Sequence, residues 1–293
     1  MWWISLAALL AAALLTALFG RIALPLLRKL KVRQSIREDG PQQHLSKAGT
    51  PTMGGLFFLA ALVVVAVLLP DKQWPWGVAL FSTLAFALIG FLDDSAKLRH
   101  HQNLGLRGKQ KLAGQFVAVA ILLLAHGLTD PQPTVVNFFA SGGTWDLGWW
   151  YYPIMGVLLV GIVNSVNLTD GLDGLAAGVS VPVFVGLAAV LLSAATRGAG
   201  ANLAWFSAAM AGCCLGFLLY NHHPAQVFMG DTGSMGLGGA VVGIAIGGDL
   251  EFMLLIFSLV YLIEALSVIL QVISFQLFHK RIFLMSPLHH HFE

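Results

Sequence analysis

The chain has 293 residues, 57% of them hydrophobic and only 10% charged, with 16 Lys and Arg set against 14 Asp and Glu. A soluble domain carries about a quarter of its residues as charged side chains, so this composition excludes an ordinary water-soluble fold. It points instead to an all-α polytopic membrane bundle, one unit over residues 1–293. The net charge of +2 provides no basic field for nucleic acid, and the adjacent Cys213 and Cys214 sit in an apolar run where they pack rather than form a disulfide framework.

Apolar runs near membrane-spanning length follow one another along the chain: Met1–Phe19, Thr52–Leu69, Gly77–Leu92, Leu112–Leu128, Trp149–Val166, Leu175–Ala195, Leu203–Tyr220, Gly233–Gly247 and Phe252–Phe278. These predict about nine spans. The first lacks the positive leader of a cleavable signal and reads as a retained helix. Excess Lys and Arg stay in the cytoplasm. With the N-terminus outside, 13 of the 16 cations fall on inner segments, from Arg28–Lys47, Lys97–Lys111 and Lys280–Arg281. The predicted N-terminus is therefore periplasmic. The longest outer connection, about Thr129 to Gly148, is rich in Pro and Gly and reads as a structural hairpin or surface loop.

In that orientation the acids of interest collect at inner helix ends. Asp93 and Asp94 end the third run, one turn before Lys97. Adjacent carboxylates repel unless a cation or proton relieves them; an interfacial ion-pair network with Lys97 and Arg99 is the competing explanation. The segment Asn164-Ser165-Val166-Asn167-Leu168-Thr169-Asp170-Gly171-Leu172-Asp173-Gly174 spaces amide and carboxylate oxygens by three, which shares a helix face. A capped helix start accounts for Asp170 or Asp173, but not for four such side chains. Val227-Phe228-Met229-Gly230-Asp231-Thr232-Gly233-Ser234 adds a third oxygen-rich loop, with Phe228 either in an interfacial aromatic belt or a platform for a planar base.

Oxygen ligands without a Cys/His set suit Mg²⁺, or Mn²⁺, rather than zinc, and Mg²⁺ characteristically binds through one or two carboxylates plus substrate phosphates. Lys47, Lys97, Arg107, Lys109 and Lys111 lie near the same face, so the implied substrate is a diphosphate. The closing His289-His290-His291-Phe292-Glu293 falls on that side as well. His126 near an outer helix end and His222 and His223 read as interfacial residues, and Glu264 in the last run must face the interior and find a partner.

These motifs, with Lys47-Ala48-Gly49-Thr50-Pro51-Thr52-Met53-Gly54-Gly55 and Asn103-Leu104-Gly105-Leu106-Arg107, closely resemble the phospho-N-acetylmuramoyl-pentapeptide transferase family. That family belongs to the polyprenyl-phosphate N-acetylhexosamine-1-phosphate transferases, and the resemblance covers nearly the whole chain. It implies Mg²⁺-dependent transfer of phospho-MurNAc-pentapeptide from UDP-MurNAc-pentapeptide to undecaprenyl phosphate at the cytoplasmic face of the bacterial inner membrane, giving lipid I and UMP. On matching positions it implies Asp231 as metal ligand with Asn167 as a second oxygen, and Asp93 and Asp94 as the essential acidic pair. Lys97 is expected to neutralise charge. The resemblance further implies that Lys47, Thr52, Asn164, Asp170, Asp173 and Phe228 line the nucleotide-sugar cleft, with His289, His290 and His291 at its rim. A homodimer is also implied.

Family members usually continue past the histidine motif with a tenth helix, so the expectation for a chain stopping at Glu293 is nine spans with the C-terminus inside. The rival readings are a sibling transferase of GlcNAc-1-phosphate, against which the Gly49-to-Gly55 and histidine segments argue, and an ion-coupled transporter. The transporter predicts acids near the bilayer midplane, whereas five aspartates gather at one interface.

Overall fold

A computed structural model describes residues 1–29, 49–71, 73–100, 105–138, 142–195 and 201–292. Lys47 lies outside them. The helices are α1 (Trp2–Lys29), α2 (Gly55–Leu68), α3 (Trp74–His100), α4 (Gly108–Thr129), α5 (Tyr151–Thr169), α6 (Leu175–Ala195), α7 (Asn202–Asn221), α8 (Gly230–Gly247), α9 (Glu251–Phe257), α10 (Leu259–Phe278) and α11 (His289–Phe292). Among the described residues, seven helices are long and apolar enough to cross a membrane. Their outward faces stay apolar, as with Leu14 and Ile22 of α1, Leu124 of α4 and Ile269 of α10, all exposed; lipid is the solvent such faces suit.

The two remaining runs are helical but differ from the others. At 14 residues α2 reaches only about 21 Å, short of a hydrocarbon core of about 30 Å. Glycine-rich α8 is buried along nearly its whole length by protein. The last predicted run is not one helix: it breaks at Ser258, which separates α9 from α10 with φ −88° and ψ 0°.

The hydrophobic core forms around α8. Small residues let two membrane helices approach until their backbones touch, and α3 and α8 do so along their length. Ser82 Oγ donates to the Gly239 carbonyl at 2.7 Å, and a Cβ at Gly239 would lie 2.7 Å from the Ser82 carbonyl oxygen. A Cβ at Gly90 would overlap the Asp231 carbonyl. On the other side α5 packs against α8 and α10, while α1 and α6 pack against α7.

The predicted outer hairpin is present as β1 (Val135–Phe138) and β2 (Gly143–Asp146), antiparallel with Val135 opposite Asp146 and Phe138 opposite Gly143. Phe138 meets Phe252 of α9 edge-on at 4.9 Å. α3 and α5 run in opposite directions to α4 and to each other's neighbours in sequence, so the motif-bearing ends of α3, α4, α5 and α8 meet at one end of the bundle. The hairpin closes the other.

Candidate active site

The close seam between α3 and α8 sets Asp93 and Asp94, both buried, beside Asp231 in the first turn of α8. Each of the three offers an oxygen within 4.8 Å of the others. Lys97, one turn past the acidic pair, reaches all of them: its Nζ lies 2.7 Å from Asp93 Oδ2, 3.8 Å from Asp94 Oδ1 and 3.1 Å from Asp231 Oδ2. Lys111, in the first turn of α4, supplies a second ammonium 2.7 Å from Asp231 Oδ2.

Asn167, from the last turn of α5, donates through Nδ2 to Asp231 Oδ1 at 3.1 Å and to Ser234 Oγ at 2.7 Å, while its Oδ1 accepts from Lys111 at 3.5 Å. Four helices thus converge on Asp231. In this arrangement Asn167 orients the carboxylate with its amide N–H, and only a rotated amide would turn its oxygen toward a metal. In the sequence Lys111 is one of several cations near this face. Its signal was there, a lysine in the first turn of an otherwise apolar helix, but the partner is 120 residues away.

The two members of the acidic pair do different things. Asp93 Oδ1 accepts the Leu106 N–H at 2.9 Å, tying down the segment that leads into α4. Asp94 faces the start of α8, where a helix leaves its first N–H groups unpaired. It accepts from Asp231 N–H at 3.2 Å, Thr232 N–H at 2.9 Å and Thr232 Oγ at 2.7 Å, a capping role normally taken by a residue of the same helix. Gly230 has φ +73°, and a Cβ there would lie 2.7 Å from Asp94 Oδ2 and 3.1 Å from Thr52 Oγ1. Glycine meets both demands.

The Gly49-to-Gly55 motif supports this corner by its backbone. Phe228 N–H donates to the Pro51 carbonyl at 2.8 Å, Gly54 N–H to Phe228 at 2.9 Å and Gly55 N–H to Met229 at 2.9 Å. Thr52 is buried against the same turn, and Phe228 is half-buried.

The rest of the Asn164-to-Gly174 segment spreads out. Asn164 exchanges both amide bonds with Gln115 of α4, at 2.7 and 3.1 Å, and also donates to the Val160 carbonyl at 2.8 Å. Asp173 Oδ2 accepts Ala225 N–H at 3.0 Å and lies 3.2 Å from His223 Nδ1, which fixes the turn between α7 and α8. Asp170, half-buried just past α5, is pushed up to about 8 by its burial first and then by the charges of Asp231, Asp94 and Asp173.

The terminal histidines reach the same end by another route. The chain turns back after α10 at His279 (φ 53°). Gln271 then holds the returning strand, accepting from Ile282 and Phe283 N–H and donating to the Phe283 carbonyl, each at 3.0 Å. Glu264 Oε2 accepts the His289 backbone N–H at 3.2 Å and its ring Nδ1–H at 3.1 Å, the interior partner that an acid in mid-helix requires. His289 packs on Gly171, where a Cβ would overlap its imidazole. The His290 ring lies beside it, tilted by 58° with ring centroids 4.3 Å apart, and His291 Nδ1 accepts Leu284 N–H at 3.1 Å.

The donor set at the centre fits Mg²⁺. It is all oxygen, and Asp93 and Asp231 are close enough to share a hydrogen bond, an approach that the Lys97 ammonium relieves here and that a divalent cation would relieve as well. With Asp94 committed to the helix start, Asp231 and Asp93 are the carboxylates left to hold an ion. The two ammoniums, one from α3 and one from α4, border these carboxylates.

The sequence pattern of Glycosyl transferase family 4 matches residues 76–249, and Phospho-N-acetylmuramoyl-pentapeptide-transferase signature 1 matches residues 47–59. Several similar relatives bear the name phospho-N-acetylmuramoyl-pentapeptide-transferase. The protein of Desulfitobacterium hafniense is 48% identical over 298 residues, covering 97% of this chain and 88% of its own. That of Moorella thermoacetica is 48% identical over 285 residues, 97% and 88%. That of Heliobacterium modesticaldum is 50% identical over 289 residues, 98% and 88%.

Proposed function

The chain belongs to the phospho-N-acetylmuramoyl-pentapeptide transferase family, and from that membership we propose that it moves phospho-MurNAc-pentapeptide from UDP-MurNAc-pentapeptide to undecaprenyl phosphate in peptidoglycan synthesis. The observation that carries the site assignment is the convergence of Asp93, Lys97, Lys111, Asn167 and Asp231 from four helices. A phosphate oxygen of the lipid attacks the β-phosphorus of the UDP-sugar. The bond from that phosphorus to the oxygen bridging to the α-phosphate breaks, and UMP leaves with the electron pair.

Such transfers depend on positioning and charge neutralisation more than on covalent help from the protein. A phosphate monoester with its second pKa near about 6 is largely dianionic at neutral pH, so no strong base is needed. Lys97 and Lys111 offset the charge that builds on the phosphates. Asp93 orients the incoming group. Asp231 with Asp93 would hold Mg²⁺, whose contribution when bound is to neutralise diphosphate charge. Thr52, Phe228 and Asp170 border this end, and the His289–His291 segment closes its rim; Asn164 and Asp173 act by fixing α4 against α5 and the turn before α8.

The same reading puts the chain in the bacterial cytoplasmic membrane as a single transferase domain with the site facing the cytoplasm. Its support is the concentration of Lys and Arg at the motif end. The homodimer rests on the family resemblance alone. The deciding experiment follows UMP release from UDP-MurNAc-pentapeptide, with and without Mg²⁺ and undecaprenyl phosphate, for the wild type and Asp231→Asn. Release that needs both additions and falls at least about 100-fold in the variant is expected; undiminished turnover in the variant removes the metal assignment.

A further inference from the structure

The hairpin end of the bundle was predicted to be structural, yet it gathers a second set of ionisable side chains. His126 comes from the last turn of α4, Asp130 ends that helix, and Asp249 lies between α8 and α9. One ligand atom from each falls within 4.8 Å of the other two. The carboxyls of Asp130 and Asp249 are within hydrogen-bonding reach of each other, and two carboxylates held that close call for a proton or a cation.

Two further observations point to a ligand. Glu251 is buried, with only 3% of its surface exposed, and within electrostatic reach of both Asp130 and Asp249. Its Oε1 accepts the Tyr151 hydroxyl at 2.9 Å, while its Oε2 has no partner from another residue among those described. A carboxyl so buried needs a proton or a compensating charge. His126, for its part, has its ring engaged in a hydrogen bond, as metal-binding histidines do. Its ring hydrogen-bonds the Pro133 carbonyl and stacks on Tyr151 at 6.0 Å and 25°; a neutral imidazole that donates through one nitrogen keeps a lone pair on the other.

A cavity of about 290 Å³ opens beside the cluster, lined by Asp130, Gln132, Asn137 and Asp249. Its amide oxygens and water can fill remaining coordination positions. We propose that His126, Asp130 and Asp249 form a divalent-cation site at the hairpin end, separate from the Asp93–Asp231 cluster, with Glu251 as the buried counter-charge beneath it. One nitrogen with carboxylate oxygens selects a transition-type ion, Zn²⁺ or Mn²⁺, over Mg²⁺ or Ca²⁺. Bonds of about 2.0–2.2 Å would draw the three ligand atoms slightly together. The ion would clamp the end of α4 to the α8–α9 turn at the base of the hairpin.

The test uses the full chain in detergent, stripped with a chelator and then dialysed against Zn²⁺. A His290→Ala/His291→Ala background removes the imidazoles at the other end. Bound zinc is counted by elemental analysis, and thermal unfolding is followed with Zn²⁺, Mn²⁺ and Mg²⁺. The expectation is one zinc per chain and an unfolding midpoint raised by about 5 °C at saturating Zn²⁺, less for Mg²⁺. Both effects persist when Asp231→Asn is added and vanish with Asp130→Asn/Asp249→Asn. Asn at 130 keeps an oxygen for the Gln132 N–H that Asp130 accepts at 2.6 Å, and His126→Gln provides an independent variant should that pair misfold. Zinc binding that survives both changes, or none in the parent, overturns the proposal.

Discussion

Asp94 and Thr232 are joined twice: one carboxylate oxygen of α3 accepts both the backbone N–H and the hydroxyl of the third residue of α8, at 2.9 and 2.7 Å. Because Asp94 also accepts the Asp231 N–H, it sets the backbone that carries the central carboxylate. Asp94→Asn keeps one acceptor oxygen and loses the charge, Asp94→Ala loses all three bonds, and Thr232→Val loses one. At about 1 kcal/mol per neutral bond and up to about 3 for a charged acceptor, turnover should fall in the order Thr232→Val, Asp94→Asn, Asp94→Ala. The first should lose about fivefold and the last at least about 100-fold. UMP release and thermal unfolding on the same samples check the order; an Asp94→Ala enzyme as active as Thr232→Val rules out this role.

Lys111 carries the second prediction. Asp231 Oδ2 receives both ammoniums, and Lys111→Met leaves Lys97 alone against three carboxylates. A partly buried pair broken on one side costs about 1–3 kcal/mol, so the apo variant should unfold several degrees below the wild type. Mg²⁺ should then restore more stability to the variant than it adds to the wild type, since it takes over the missing charge. Melting curves across a Mg²⁺ titration read both; equal Mg²⁺ responses would show that the lysine and the ion do not share Asp231.

The apolar helices and the acidic residues at their ends were legible in the sequence because both signals are local, although only seven of the nine predicted runs are helices long and apolar enough to cross a membrane among the described residues. What fixed the site was not local. The Asn164–Gln115 amide exchange crosses from α5 to α4, Lys111 meets Asp231 only because the first turns of α4 and α8 come together, and neither pairing leaves a spacing pattern. The break at Ser258 was hidden since a single serine with apolar residues on both sides fits a continuous membrane helix equally well. Nor could composition separate the two adjacent acids: Asp93 and Asp94 look alike until the approach of α8 gives Asp94 a helix start to cap.

The contact between Glu264 and His289 anchors the terminal histidines, and Gly171 leaves the imidazole its space. Glu264→Ala and His289→Ala should each raise the KM for the UDP-sugar about fivefold while changing kcat less. The double variant should be no worse than either single one, a coupling of about 1 kcal/mol. Gly171→Ala should reproduce the effect by displacing the ring. Steady-state kinetics of the four variants decide the matter; fully additive losses would mean that the pair does not act as a unit.

Asp170 makes the last prediction, and its sign runs against the usual one for a carboxylate. In the folded chain its proton is held up to about pH 8, while in the unfolded chain it leaves near about pH 4. Between those values the unfolded state has shed a proton that the native state keeps, so this residue costs the native state more stability as pH rises, up to about 8, and no more beyond it. Asp170→Asn removes the cost. The variant's unfolding midpoint should therefore match the wild type near pH 4–5, exceed it progressively toward pH 8, and hold a constant lead above that. Since the charges of Asp231 and Asp94 contribute to the effect, added Mg²⁺ should flatten the trend by screening them. Thermal melts of both proteins in detergent from pH 5 to 9, with and without Mg²⁺, give the curves; a lead that is independent of pH would mean that Asp170 is ionised throughout.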